Sequence, residues 1–290
     1  DGDKVLIEMV SWDRNDDIPV GNVTRVLGQE GDNDVEMHAI LAEFSLPLEF
    51  PQEVHDEAAT FTPSSEGGGL DLAEISKRRD MRDTFTMTID PVDAKDFDDA
   101  LSMKKLKNGN WEIGVHIADV SHYVKPGSAI DKEAIYRATS VYLVDRTIPM
   151  LPEILSNDLC SLRPNEDKYA FSAVFEMNEK AEVVQEWFGR TVIHSDRRFA
   201  YEDAQERLET GKGDYAEELK VFFKFASQLR DSRFKNGGID FNTEEVRFEL
   251  DEDGKPLRVK IKQMKEANKL IEDFMLLANV RVARFLAKIH

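Results

Sequence analysis

Five aspartates lie within ten residues of one another, and their spacing could support metal chemistry. The run comprises Asp90, Asp93, Asp96, Asp98 and Asp99, with Lys95 among them. Carboxylates held close together repel one another, and burial strengthens the repulsion, so a folded loop of this kind calls for a cation. Crowded oxygen ligands suit Mg²⁺ or Mn²⁺, and two such ions about 3.5 to 4 Å apart are the usual arrangement for in-line attack on a phosphodiester. Phosphoryl chemistry is therefore the leading hypothesis.

A solvated acidic turn is the alternative interpretation of this run. Before it, Phe85, Met87 and Ile89 alternate with threonines as in a half-buried strand, and an apolar segment begins again at Ala100. A loop fixed between two strands is not a free tail, which favours a functional site. A helix-loop-helix calcium site is disfavoured, because neither its glycine nor its closing glutamate occurs at the required offset.

The motif resembles the signature of a known family. Residues 88–100 read Thr-Ile-Asp, five residues, then Asp-Phe-Asp-Asp-Ala, and residues 116–123 read His-Ile-Ala-Asp-Val-Ser-His-Tyr. Together they are similar to the signature of the RNase II and RNase R exoribonucleases, with RNase R the nearer match. Two later segments, residues 142–152 and the Leu-Cys-Ser-Leu-Arg of residues 159–163, match that family as well.

The resemblance implies a hydrolytic 3′-to-5′ exoribonuclease that releases nucleoside 5′-monophosphates processively, with Mg²⁺ as the cofactor and Mn²⁺ as the alternative. It implies that the metal ligands are Asp90, Asp96 and Asp99, and that Asp98 is the catalytic carboxylate that positions the attacking water. Asp93 has no place in the family pattern and is expected to be a solvated neighbour.

Three further residues are implied to act on the RNA. Tyr142 and Phe241 would stack on the 3′-terminal base, an interaction worth about 1 to 3 kcal/mol per base and indifferent to base identity. Glu272 would be a second catalytic residue that positions the scissile end. Without the resemblance, each aromatic would more often be a core residue, and Glu272 would as readily face solvent. The expected partner is a single-stranded RNA 3′ end, with no membrane and no obligate protein partner.

His116, Asp119 and His122 permit a zinc site as a weaker alternative. No cysteine is near them, and zinc-bound histidine normally needs a fuller ligand set. Hydrogen-bonding support beneath the acidic loop is the favoured interpretation of these residues.

Composition sets wider limits. The 290 residues are enough for about two domains, and a hydrophobic fraction of 41% is adequate for their cores. The single Cys160 excludes an internal disulfide and, with no visible secretory signal, favours the cytoplasm. No apolar run approaches the roughly 20 residues that span a bilayer. The net charge of −19 argues against a basic nucleic-acid-coating surface but leaves a narrow RNA channel open.

The element pattern predicts an α+β fold. The pattern predicts two strands in residues 1 to about 30 and helices at Asp34–Phe44 and Pro51–Ala58. The resemblance implies that residues 1–60, which contain these elements, hold the C-terminal part of a cold-shock, OB-type β domain. Residues 61–72 are expected to be a flexible linker. The pattern predicts antiparallel hairpins and helices in residues 73–290, and the resemblance implies that this segment is an incomplete RNB-type catalytic domain.

Within that catalytic domain, Asn108-Gly109 predicts a hairpin turn, and Asp214 with Glu217 predicts a capped helix start. The last helix is expected at Met264–His290. A second hairpin is predicted from two alternating sets of residues that face each other, namely Phe171, Ala173, Phe175 and Met177 with Trp187, Gly189, Thr191 and Ile193.

The resemblance does not include the family's later arginine-bearing segment or its C-terminal OB domain. We therefore expect an excised segment of a longer protein, with impaired activity of its own. Two other functions stay open. A catalytically silent RNA-binding relative is disfavoured by the complete set of four aspartates, and a phosphodiesterase for DNA or small nucleotides would degrade 2′-deoxy substrates equally well.

Overall fold

The chain folds into strands and helices that form two units. The computed structural model describes residues 2–12, 18–66, 70–239, 245–251, 254–262 and 264–289. The strands are β1 (Asp3–Ser11), β2 (Val20–Gln29), β3 (Arg79–Asp80), β4 (Thr86–Asp90), β5 (Asp99–Lys105), β6 (Trp111–Ala118), β7 (Val141–Tyr142), β8 (Thr147–Ile148), β9 (Asp167–Met177), β10 (Val183–His194), β11 (Arg197–Ala200), β12 (Glu245–Leu250) and β13 (Pro256–Lys262). The α-helices are α1 (Asn33–Glu43), α2 (Gln52–Ala58), α3 (Leu72–Ile75), α4 (Val120–Tyr123), α5 (Ala129–Arg137), α6 (Tyr201–Thr210), α7 (Ala216–Lys235) and α8 (Glu266–Leu286).

The first unit contains Asp1–Glu57, Ala129–Pro152 and Glu245–Lys262. The predicted strands at its start form the antiparallel pair β1 and β2, and the two predicted helices are α1 and α2. Helix α1 begins after Asp32, whose carboxylate accepts a hydrogen bond from the backbone amide of Asp34 at 3.0 Å. Antiparallel pairs β7 with β8 and β12 with β13 complete the strands of this unit.

The second unit contains Ala58–Ser128, Glu153–Glu244 and Gln263–His290. Its centre is a seven-stranded sheet in the order β11-β4-β5-β6-β9-β10-β3. The inner pairs are antiparallel, including the hairpin predicted at Asn108-Gly109, whereas the outer pairs β11–β4 and β10–β3 run parallel. The α+β fold class is confirmed, although the hairpin pattern did not predict the parallel edges.

Helices α6, α7 and α8 supply the apolar core on one face of this sheet. Met87, Leu101 and Phe175 from the strands are buried in one cluster with Phe222 of α7 and Phe274 of α8. Burying side chains of this size stabilises the fold by about 1.5 to 3 kcal/mol each. The core therefore holds β4 and β5, the two strands that flank the acidic residues, in a rigid layer.

The prediction of which residues of β9 face which residues of β10 is wrong. Phe175 pairs with Glu186 and Ala173 pairs with Phe188, so Trp187 and Gly189 lie on the opposite face of the sheet from Phe175. A bulge between Val183 and Gln185 adds one residue to β10. Because side chains alternate between faces, one extra residue exchanges the two faces of the whole strand.

The predicted capped helix start at Asp214 is also wrong. Helix α7 begins at Ala216, after Tyr215, which has a left-handed φ of 56°. The carboxylate of Asp214 instead accepts hydrogen bonds from Arg207 Nε at 3.0 Å and Arg197 Nε at 2.8 Å. Charge-assisted bonds to two guanidinium groups are stronger than one bond to a backbone amide, so they take the side chain away from the helix.

The predicted linker is attached to the second unit on both sides of residues 67–69. The backbone amide of Ser64 donates to Asp158 Oδ2 at 2.9 Å, and that of Asp71 donates to the Tyr169 hydroxyl at 2.7 Å. The domain bounds at residues 60 and 73 stay a prediction. In the residues that the structure describes, no helix has the length and apolar character needed to cross a membrane.

Candidate active site

The predicted aspartates lie where β4 ends and β5 begins; we call residues 90–99 the acidic loop. Asp90 is the last residue of β4 and is 8% exposed, whereas Asp99 is the first residue of β5. Asp98 and Asp93 are exposed residues. The carbonyl of Asp98 accepts a hydrogen bond from the backbone amide of Ala118 at 2.9 Å, which fixes this end of the loop to β6. Both ends of the acidic loop are thus set by the sheet.

Unbalanced negative charge accumulates in this loop. Burial, together with the neighbouring carboxylates of Asp99 and Asp98, raises the pKa of Asp90 to about 7, although the Thr88 hydroxyl and the Arg198 guanidinium oppose the shift. Burial and the charge of Asp98 raise the pKa of Asp99 to about 6. Partial desolvation by the surrounding protein and the charge of Asp96 also raise the pKa of Asp98, although the residue itself is exposed. The loop therefore holds carboxylates that a bound cation would return to the ionised form.

The donor set fits a hard divalent cation. The Oδ2 atom of Asp90 is buried without a hydrogen-bond partner, which leaves one lone-pair donor available in the site. Across the described ranges, however, no three His, Cys, Asp or Glu side chains are arranged closely enough to hold a metal ion. The carboxylates have the right chemistry, and a cation would have to draw them together. The roles of Asp90, Asp96 and Asp99 as metal ligands and of Asp98 as the catalytic residue stay predictions.

Two residues that the sequence did not single out bind the backbone of the acidic loop. Arg198 of β11 donates from Nη2 to the carbonyl of Pro91 and, at 3.0 Å, to that of Val92. Ser161 donates to the carbonyl of Lys95 at 2.8 Å and accepts from the Phe97 amide at 3.1 Å. Ser161 could have been found from the sequence, because it lies inside the matched segment 159–163. Arg198 could not, because its proximity to the acidic loop depends on the parallel pairing of β11 with β4.

His116 is a buried hydrogen-bonding residue and not a zinc ligand. Its Nδ1 lies 2.6 Å from Ser172 Oγ and its Nε2 lies 2.8 Å from Ser102 Oγ, so the ring joins β5, β6 and β9. Gly114 is required beside it, because a Cβ at that position would lie 2.5 Å from His116 Nε2. Hydrogen bonding by His116 is observed, with serines of the sheet as the partners, and its support of the acidic loop stays a prediction.

Asp119 forms an ion pair with the Arg78 guanidinium; the zinc alternative had treated it as a metal ligand. Its carboxylate, with a side chain 1% exposed, lies 2.8 Å from Nη1 of the fully buried Arg78. Arg78 also pairs with Glu74 at 2.9 Å and stacks over the Tyr169 ring at 4.1 Å. His122 Nδ1 lies 3.4 Å from the same guanidinium. A buried ion-pair cluster therefore fixes the segment that follows β6.

We expect His116 to make the stability of the chain fall in acid. Burial lowers the pKa of His116 to about 3 from 6.5, so the folded state binds fewer protons than the unfolded state between these pH values. Its contribution to stability is complete above pH 6.5 and is lost as the pH falls, by about 1.4 kcal/mol per pH unit. His116→Gln should therefore remove roughly 3 kcal/mol of pH dependence between about pH 6.5 and 4, measured by urea unfolding.

Comparing the wild type with His116→Gln isolates the contribution of His116. The buried aspartates, whose protonation in acid stabilises the fold, are common to both proteins. His55→Gln is the matched control, since it removes an exposed imidazole from α2. An identical pH slope for wild type and His116→Gln would show that His116 is not buried in its neutral form.

The remaining predicted residues lie in different parts of the chain. Tyr142 ends β7 in the first unit and is 65% exposed, which suits a stacking surface. Glu272 of α8 has a side chain 49% exposed and lies 3.6 Å from Arg233 Nη2. Its neighbour Asp273, which the sequence did not suggest, is buried against Arg230 at 2.9 Å. Phe241 lies outside the described residues. The roles of Tyr142, Phe241 and Glu272 stay predictions.

Comparisons with known proteins show similarity to RNB-domain ribonucleases. A family model described as RNB domain matches residues 78–290, and another, described as Cold shock domain, matches residues 1–51. Exosome complex exonuclease RRP44 of Mus musculus is 37% identical over 294 residues, which is 100% of this chain and 30% of that protein. The structure of Mycoplasma genitalium RNase R in complex with ribose methylated single-stranded RNA superposes with a TM-score of 0.91 at 29% identity, covering 99% of this chain and 45% of that one.

A further solved structure shares the fold alone. Yeast Ssd1, a pseudonuclease, has a TM-score of 0.64 at 22% identity and covers 81% of this chain and 29% of its own. The chain spans 30% of the mouse relative and less than half of either solved structure. Activity of the whole protein is therefore a matter for proposal.

Proposed function

Because this chain belongs to the RNB family, with residues 78–290 matched, we propose that its full-length protein is a 3′-to-5′ exoribonuclease that hydrolyses RNA processively to nucleoside 5′-monophosphates. The substrate is the 3′ end of a single-stranded RNA, bound without an obligate protein partner. The single cysteine, Cys160, is buried, which supports a reducing cytoplasmic compartment.

The observation that carries this proposal is the acidic loop. It places four aspartates of the family pattern between two strands of a rigid sheet, and the most buried of them, Asp90, keeps an unpaired carboxylate oxygen. Such a donor is costly to bury unless a cation or a hydrogen-bond donor reaches it. The position of the aspartates at the ends of two sheet strands and the unpaired Oδ2 atom of Asp90 together support a Mg²⁺ or Mn²⁺ site in the acidic loop.

The family resemblance suggests each proposed role, and the exposure of the side chains is compatible with it. Asp90, Asp96 and Asp99 would hold the metal, and the exposed Asp98 would orient the attacking water from the solvent side of the loop. A bound metal would lower the pKa of that water and stabilise the negative charge that develops on the phosphoryl oxygens. Tyr142, with its exposed ring, and Phe241 would stack on the terminal base, and Glu272 would help position the scissile end.

Digestion of a 5′-labelled RNA tests the proposal directly. The full-length protein with Mg²⁺ or Mn²⁺ should shorten the RNA from its 3′ end and release 5′-monophosphates, and a chelator should stop the reaction. The alternative, a silent RNA-binding relative, has a fold-level precedent in Ssd1. Unchanged RNA in the presence of metal, with tight RNA binding, would favour that alternative.

We expect the nuclease to discriminate against DNA. A protein distinguishes RNA from DNA through the 2′-hydroxyl, and a site that bonds a substrate hydroxyl rejects the analogue that lacks it. A 2′-deoxy strand of the same sequence should be degraded at least about tenfold more slowly. Equal rates on both strands, measured in parallel time courses, would instead indicate a phosphodiesterase without sugar selectivity.

A further inference from the structure

We infer that Arg198 and Ser161 are positioning residues that hold the acidic loop from its two sides in the shape needed to bind metal. This inference rests on the proposed function, since it concerns the same aspartates. Neither residue contacts the reacting atoms in the proposed scheme, and both act through the loop backbone.

Arg198 holds the first half of the loop. It pairs with Thr88 in the parallel ladder between β11 and β4, so its backbone position is set by the sheet. Its Nη2 group bonds to two successive carbonyls, those of Pro91 and Val92, and its guanidinium lies 5.5 Å from the centre of the Phe97 ring. One rigid cation therefore contacts the backbone directly after Asp90.

Ser161 holds the second half. Its hydroxyl donates to the Lys95 carbonyl and accepts from the Phe97 amide, and the amide of the next residue, Leu162, donates to the Phe97 carbonyl at 2.8 Å. Ser161 is fully buried and directly follows a π-helix at Ile154–Leu159 and its capping residue Cys160. These bonds bracket Asp96, because they fix the residues on both sides of it.

The physical need for such supports comes from charge repulsion. Aspartates that repel one another favour an open loop, and each backbone bond to a fixed residue opposes that opening. Supporting residues of this kind commonly contribute 10- to 100-fold to metal affinity by orienting the ligands. Arginine suits the position because one terminal nitrogen, Nη2, donates to two acceptors while the positive charge of the guanidinium offsets the carboxylates.

Hydrogen exchange of the metal-free protein tests the positioning itself. Arg198→Met should accelerate exchange of the loop amides, above all those of Ala94 and Phe97, and Ser161→Ala should accelerate exchange at Phe97. Arg197→Met is the matched control, because Arg197 precedes Arg198 in the same strand but pairs with Asp203 and Asp214. Loop exchange in Arg198→Met equal to that of the control would overturn the inference.

Manganese binding, measured by electron paramagnetic resonance of the free ion, tests the link to metal. Arg198→Met and Ser161→Ala should each weaken Mn²⁺ binding by about tenfold or more, while Arg197→Met keeps the wild-type affinity. Arg198→Lys keeps the charge but loses the guanidinium that carries Nη2 to the two carbonyls, so its Mn²⁺ affinity should fall between those of Arg198→Met and wild type. If Arg198→Met does not fold, Arg198→Lys and Ser161→Ala decide, and wild-type affinity in both would overturn the inference.

The two experiments separate this inference from the proposed function. A wild-type protein that binds no Mn²⁺ and degrades no RNA, yet shows faster loop exchange in Arg198→Met, would refute the metal-dependent nuclease and leave the positioning of the loop intact. A wild-type protein that binds Mn²⁺ with the same affinity as both loop variants would support the metal site and refute the positioning.

Discussion

Asp98→Asn in the full-length protein is expected to lower the rate of RNA cleavage by about 100-fold or more, because a neutral amide orients the attacking water less effectively than a carboxylate does. RNA affinity should change little, since stacking and phosphate contacts hold the substrate. Asp98 is the most exposed of the four site aspartates, so the substitution leaves the buried part of the loop in place. Single-turnover cleavage of labelled RNA, alongside equilibrium binding of a nuclease-resistant RNA, measures both quantities.

Asp93→Asn is the matched control for this variant. Asp93 lies in the same loop, is exposed, and loses the same unit of charge, but it has no assigned role. It should cleave RNA at nearly the wild-type rate. Near-normal cleavage by Asp98→Asn would remove Asp98 from the catalytic assignment, and an equal loss in both variants would mean that only the total charge of the loop matters.

Arg78→Met is expected to cause a large loss of stability in the second unit. Arg78 is fully buried and compensates the buried carboxylate of Asp119 at 2.8 Å. Removing one partner of a buried pair leaves the other charge uncompensated, which costs about 3 to 5 kcal/mol. Urea unfolding at neutral pH, followed by circular dichroism, measures this loss directly.

Lys77→Met provides the control for this stability effect. Lys77 also pairs with Glu74, at 3.4 Å, but its side chain is 71% exposed. Exposed ion pairs contribute little because solvent screens them, so the loss should be far smaller than in Arg78→Met. Equal losses in the two variants would show that the cluster around Arg78 is energetically equivalent to a surface ion pair.

The acidic loop was predictable because its signal is local. Alternation before residue 90 and the apolar residues from Ala100 onward predicted two flanking strands, and β4 and β5 occupy those segments. Helix α8 was predictable for the same reason, since a spacing of three and four residues marks Ala267, Ile271 and Phe274 as one buried face. Patterns of this kind depend only on neighbours in the chain.

Features that depend on distant partners were not predictable. A bulge in β10 reverses the faces that its side chains were predicted to occupy. The carboxylate of Asp214 accepts hydrogen bonds from two arginines instead of capping a helix. Asp119 was considered as a zinc ligand, whereas its partner Arg78 lies 41 residues earlier. In each case, competition between a local contact and a stronger non-local contact decided the outcome.

The order of residues alone identifies the family and defines the four aspartates, because the chemistry of a metal-binding loop depends on residue types at short spacing. Tertiary structure decides how that loop is held. Arg198 lies 107 residues from Pro91 and Ser161 lies 66 residues from Lys95, and only the parallel pairing of β11 with β4 and the segment that ends the π-helix bring them to the loop. No local pattern encodes such contacts, since they arise from the packing of separate elements around one sheet.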